Sequence, residues 1–234
     1  MLGEIMENNK DFFAKNKYFY HKNAISKELA LMGTQYAIFD ALDWQEENGG
    51  DQAQVPGSHS KYADPFMEAL LLKLHKTVEQ DTGLELFPTY SYYRLYKPGD
   101  SLAPHVDRPA CEISLTVNLG YFYNTEDQNY SWDIVVNNQP FKTEPGDMVI
   151  YRGLEMEHWR DTFVCGEGSW QVQAFLHYVD ANGPYAMCKW DARPAPGLSP
   201  ALRQQSLIDM ANYVHQQNKE RIDVTDSVIY VEGQ

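Results

Sequence analysis

The chain has 234 residues, with 19 Lys and Arg against 33 Asp and Glu, a net charge of −14 and an isoelectric point near 4.8. Acidity on that scale repels phosphate backbones and anionic lipid, so nucleic acid and membrane surfaces are excluded as partners. A hydrophobic fraction of 43% with 13% aromatics excludes a disordered chain, and the length suits one domain, 1–234, with a full core.

The N-terminal stretch MLGEIMENNKDFFAKNKYFY has no uninterrupted apolar run of the kind a secretory signal needs. No segment is long and apolar enough to span a bilayer. Cys111, Cys165 and Cys188 form no C-x-x-C pair, so the expectation is a reducing, cytoplasmic setting.

Residues 1–84 read as a mostly helical flank. Ser26 is a predicted N-cap for a helix running to about Trp44, with Leu29, Met32, Tyr36 and Phe39 at helical spacing. After the loop NGGDQAQVPGSHSKY, Asp64 and Pro65 supply the cap and first position of a second helix. Its apolar stripe is Phe66, Leu70, Leu71, Leu74 and Val78, and Gly83 ends it.

From about residue 85 to 181 the texture is β. Short runs at 87–97, 102–107, 111–121, 132–137, 148–153 and 170–180 are divided by Pro98-Gly99-Asp100, Asn137-Asn138 and Pro145-Gly146-Asp147. Strands at this spacing, with no helices between them, predict an antiparallel jelly roll. Residues 182–234 read as a C-terminal helical flank, with a helix from Ser199-Pro200 through Leu207, Met210 and Val214. The predicted fold class is mostly β with flanking helices (α+β), around a double-stranded β-helix, a cupin-like jelly roll.

Two strands declare their faces through the period of two. In CEISLTVNLGY, Cys111, Ile113, Leu115, Val117 and Leu119 lie opposite Glu112, Ser114, Thr116 and Asn118. In WQVQAFLHYVD, Val172, Ala174, Leu176 and Tyr178 lie opposite Gln171, Gln173, Phe175 and His177. Polar faces in mid-strand are costly to bury unless they line a wet or ligand-filled interior. They predict a site inside the barrel.

The sharpest local feature is His105-Val106-Asp107, whose first and third residues share one side of a strand. His158 follows 51 positions after Asp107, and a jelly roll can bring it alongside. Two imidazoles and one carboxylate form the facial triad of non-haem iron, which leaves positions open for substrate and dioxygen. His105, Asp107 and His158 are the predicted metal ligands and catalytic centre.

The stretch YYRLYKPGDSLAPHVDRPACEISLTVNLGY, then PGDMVIYRGLEMEHWRD and WQVQAFLHYVD, resembles the Fe(II)- and 2-oxoglutarate-dependent oxygenases, in particular the prolyl-hydroxylase-like branch. The resemblance covers roughly 85–181. It implies Fe(II), 2-oxoglutarate as co-substrate, and dioxygen. It also implies hydroxylation of an unactivated C–H bond of a peptide, amino acid or other small molecule, with release of succinate and CO2. Within it, Tyr96 and Thr116 match positions that approach the co-substrate, and Asp107 disfavours halogenation.

The family usually places Arg or Lys on the strand after the second histidine, to pair with the far carboxylate of 2-oxoglutarate. Here that strand carries Gln171 and Gln173, and no Lys or Arg occurs between Arg160 and Lys189. Arg160, two residues past His158, is the expected substitute, ahead of Arg94, Arg108 and Arg152. Two alternatives stand beside this reading: a cupin-type iron dioxygenase that does not use 2-oxoglutarate, and a non-catalytic jelly-roll binding module.

Overall fold

A computed structural model describes residues 8–42 and 54–197. Two antiparallel sheets face each other. The larger has six strands in the order β1-β8-β5-β10-β3-β2, the smaller four in the order β4-β9-β6-β7. In chain order the strands are β1 Tyr18–His21, β2 His59–Tyr62, β3 Leu86–Tyr96, β4 Leu102–His105, β5 Ile113–Phe122, β6 Ile134–Val136, β7 Gln139–Phe141, β8 Met148–Arg152, β9 His158–Arg160 and β10 Trp170–Asp180. The helices are α1 Asn9–Asn16, α2 Lys27–Leu42 and α3 Pro65–Thr82.

The caps and the stop act as expected, but Met32 and Phe39 of the stripe predicted for the first helix are exposed, and Ala30, Gly33, Thr34 and Ala37 face the core instead. Ser26 Oγ accepts the Leu29 N–H, Asp64 accepts from Phe66 and Met67, and Gly83 closes α3 in the left-handed conformation. The predicted end of the first helix at Trp44, and the helix from Ser199, lie outside the described residues. Leu70, Leu71, Leu74 and Val78 of α3 pack on the outer face of the large sheet, against Ile113, Leu115, Val117, Val172, Ala174 and Leu176. Each such side chain, fully buried, contributes about 2 kcal/mol.

The flank is less purely helical than expected. β1 and β2 lie within the first 84 residues, each only four residues long and each on an edge of the large sheet. Such short runs carry too little periodicity to be read; β8 and β3 recruit them by offering unpaired edges. β7 was also hidden, because Pro140 argues against a strand except at an edge, which is where it sits. Asn137 and Asn138, both with positive φ, form its two-residue hairpin with β6.

The inner face of the large sheet is polar where the alternation predicts it. Ser114, Thr116, Asn118, Gln171, Gln173 and His177 are all buried. Cys111 departs from expectation. It lies in a 3-10 turn, Pro109–Cys111, ahead of β5, so it leaves the apolar face of Ile113 and packs with Tyr90 and Ala110.

Candidate active site

β4 ends at His105, which pairs directly with His158, the first residue of β9. Asp107 was expected on the same strand, but it follows in irregular backbone. Its N–H donates to Gly153 O (2.8 Å), so this anchor, and not the pleat, sets its position. Ligand atoms of His105, Asp107 and His158 lie within 4.8 Å of one another. Asp107 Oδ1 stands 3.9 Å from His105 Nε2 and 3.7 Å from His158 Nε2. These gaps are too long for hydrogen bonds and leave space for a shared ion.

Both rings are oriented for that task. His105 Nδ1–H donates to Ala103 O (2.8 Å) and His158 Nδ1–H to Met156 O (3.0 Å). A ring that gives its Nδ1 proton to a carbonyl keeps its lone pair on Nε2, the nitrogen that faces Asp107. Burial pushes the His158 pKa down, against the pull of Asp107, and so favours the neutral ligand form.

The second oxygen of Asp107 is held from behind. Ser114 Oγ donates to Asp107 Oδ2 (2.6 Å), and His177 Nδ1 lies 3.0 Å from the same hydroxyl. Gly153 makes room: a Cβ there would stand 2.5 Å from Asp107 Oδ2 and 2.7 Å from Ser114 Oγ. Asp107, Cys111 and His177 also converge, but they share Asp107 with the first group. Burial pushes the Cys111 thiol up to about 12, so it stays protonated against Tyr90 and is a poor ligand.

The predicted co-substrate residues gather at the other end of the barrel. Tyr96 pairs with Gln171 and Arg94 with Gln173 across β3 and β10. Gln171 accepts from Tyr123 (2.5 Å) and Gln173 from Thr116 (2.8 Å). Arg160 Nη1 donates to Trp132 O (2.7 Å) while the guanidinium lies over the Trp132 ring. Arg160 Nε and Nη2 and the Nε2 atoms of Gln171 and Gln173 are buried and have no hydrogen-bond partner among the described residues. Burial raises the Tyr96 pKa, and Arg94 and Arg160 pull it back.

A cavity of about 880 Å³ opens on His105, Asp107 and His158. Tyr90, Tyr92, Phe175 and His177 form one wall beside the triad, and Arg94 and Tyr96 continue it. Of the predicted co-substrate residues, only Tyr96 is on this wall; Thr116, Arg160, Gln171 and Gln173 are buried in the barrel without forming part of it. Arg94 ranked behind Arg160 in sequence, yet it is the arginine on the wall beside Tyr96. Arg108 also reaches the wall but makes two hydrogen bonds to Asp191. Ser114, His177 and Gly153 were the residues sequence reasoning did not assign. Alternation had placed the first two inward; nothing marked Gly153.

No family model matches the sequence, and no curated protein matches it. Solved structures do match, at the level of fold. A Pseudomonas putida prolyl-4-hydroxylase is similar with a TM-score of 0.53 and 16% identity, over 71% of this chain and 95% of that one. SnoN, a non-heme alpha-ketoglutarate-dependent epimerase from nogalamycin biosynthesis, gives 0.56 and 13%, over 80% and 89%. EctD from S. alaskensis, in a structure with 2-oxoglutarate and 5-hydroxyectoine, gives 0.56 and 11%, over 76% and 79%. The fold is that of the 2-oxoglutarate/Fe(II) oxygenases. The oxygenase fold reaches beyond the motif-bearing stretch 85–181, because the likeness spans 71% to 80% of the chain. Among the described residues, no helix is long and apolar enough to cross a membrane.

Proposed function

We propose that this protein is a non-haem Fe(II)- and 2-oxoglutarate-dependent dioxygenase that hydroxylates an unactivated C–H bond of a peptide, amino acid or other small molecule. The observation that carries the reading is the triad: two imidazoles with fixed tautomers and one carboxylate, their ligand atoms within 4.8 Å. That donor set suits iron and leaves coordination positions open. Bound Fe(II) with 2-oxoglutarate and dioxygen would supply the oxidising power, with release of succinate and CO2.

The chain's own residues do the rest. His105, Asp107 and His158 hold the metal, and the carboxylate offsets part of its charge. At the far end, buried donors without acceptors fit a carboxylate, since such groups are rarely left unpaired. Arg160 supplies the charge that Gln171 lacks, with Gln173 and Thr116 buried behind the cavity wall and Tyr96 on it. Tyr90, Tyr92 and Phe175 shelter the reacting carbon from water.

Anaerobic addition of Fe(II) and 2-oxoglutarate is expected to produce a weak visible charge-transfer band, absent in His105→Ala. No band and no bound iron in the wild type would sink the proposal. A second reading draws on the neutral Gln171 on β10: an iron dioxygenase without 2-oxoglutarate. Substrate-triggered succinate formation decides against it; oxidation without succinate decides for it.

A further inference from the structure

We propose that His177, acting through Ser114, is a positioning residue that restricts Asp107 to a single ligating oxygen. The inference rests on the reading of His105, Asp107 and His158 as the metal site, and concerns three residues brought together from β5, β10 and the loop after β4.

Proton bookkeeping gives the chain a direction. Ser114 has one hydroxyl proton. Its neighbours Asp107 Oδ2 (2.6 Å) and Cys111 O (3.1 Å) can only accept. The proton therefore points to them, and the shorter, charge-assisted bond is to the carboxylate. Ser114 Oγ must then accept from His177, so His177 carries its proton on Nδ1. The order runs from His177 Nδ1–H to Ser114 Oγ, and from Ser114 O–H to Asp107 Oδ2.

The surroundings fix each member. Ser114 is fully buried on β5 directly opposite His177 on β10. Tyr90 covers the imidazole, with ring centroids 4.5 Å apart. Gly153 closes the space behind, where a Cβ would meet Cys111 O at 2.2 Å and Asp107 Oδ2 at 2.5 Å. With Oδ2 taken, Oδ1 is the oxygen turned toward both histidine Nε2 atoms. A carboxylate freed from this restraint can turn both oxygens to a cation and fill a position needed by a further ligand.

The test uses Co(II) as probe on the full chain, followed by visible absorption, and then 2-oxoglutarate added to the Co(II) form. Ser114→Ala is expected to bind Co(II) with an altered spectrum and to need about tenfold more 2-oxoglutarate for the spectral response. His177→Phe shifts both readouts the same way by less, and Ser114→Thr, which keeps the hydroxyl, restores the wild-type spectrum. A merely structural role would not give this pattern of spectrum and rescue. Wild-type spectra and 2-oxoglutarate response in both Ser114→Ala and His177→Phe overturn the inference while leaving the metal site standing. Should Ser114→Ala fail to fold, His177→Phe and Ser114→Thr decide alone. Absence of Co(II) binding in the wild type overturns the metal-site reading and this inference with it.

Discussion

The two ends of the barrel interior are built on opposite principles. At the triad, His105 Nδ1, His158 Nδ1, Asp107 Oδ2, Ser114 and His177 Nδ1 all have partners. At the far end, Arg160 and the amides of Gln171 and Gln173 keep buried donors that nothing answers among the described residues. Each unanswered donor costs about 1–3 kcal/mol in the ligand-free protein. The polar groups at the triad end are thus satisfied within the chain, whereas the far end keeps donors that the proposed co-substrate carboxylate would answer. A pocket for a cation needs oriented lone pairs, and these can be held from behind by ordinary hydrogen bonds. A pocket for a carboxylate needs unspent donors.

The largest expected effect breaks the tightly packed end. Gly153→Ala drives a methyl group into Cys111 O and Asp107 Oδ2 and should cost about 3 kcal/mol or more, read as a lower urea midpoint. A variant as stable as the wild type would show that this end is looser than its distances imply.

Acid should act on the same end. Burial pushes the His177 pKa down to about 4, below its unfolded value of about 6.5. Between those values the unfolded chain binds the extra proton, so stability falls as pH drops from about 6.5 toward 4, by roughly 3 kcal/mol in total. His177→Phe is expected to flatten the slope of Tm against pH across that window; an unchanged slope removes His177 as its source.

The far end should behave in the reverse sense. Arg160→Met removes a buried charge without a carboxylate partner, and is expected to leave the ligand-free protein as stable or about 1 kcal/mol more so. The same variant should lose the stabilisation that 2-oxoglutarate gives the Fe(II)-loaded wild type, about 2.7 kcal/mol at a hundred times its Kd. Paired thermal melts with and without the co-substrate measure both. Retained stabilisation transfers the anchor to Arg94, the arginine beside Tyr96 on the cavity wall.

The smallest effect is a control on both. Asp64→Ala removes the cap of α3 and should cost about 1 kcal/mol in chemical denaturation. Metal and co-substrate binding should not change, because α3 packs on the outer face of the large sheet.

Much of this was legible in the chain. Caps at Ser26 and Asp64, and the stop at Gly83, are local chemistry and need no neighbours to be read. The split of Ser114 and Thr116 from Leu115 and Val117 follows from the pleat alone, and it placed a polar interior before any partner strand was known. His105, Asp107 and His158 were recognisable as ligand types in order.

What remained hidden depends on partners far away in sequence. β1, β2 and β7 are strands because of the edges they meet. Asp107 keeps its place through Gly153, 46 residues on, and its second oxygen through Ser114 and His177, which are 63 residues apart. Arg160 and Arg94 could not be ranked from spacing, because alternation gives a side and not a reach. Residue types, periodicity and the order of the candidate ligands are properties of short stretches, and so they can be read along the chain. Which lone pair faces which, which donors stay unspent and which arginines meet the cavity depend on directional bonds and burial, and these arise from pairs that folding brings together.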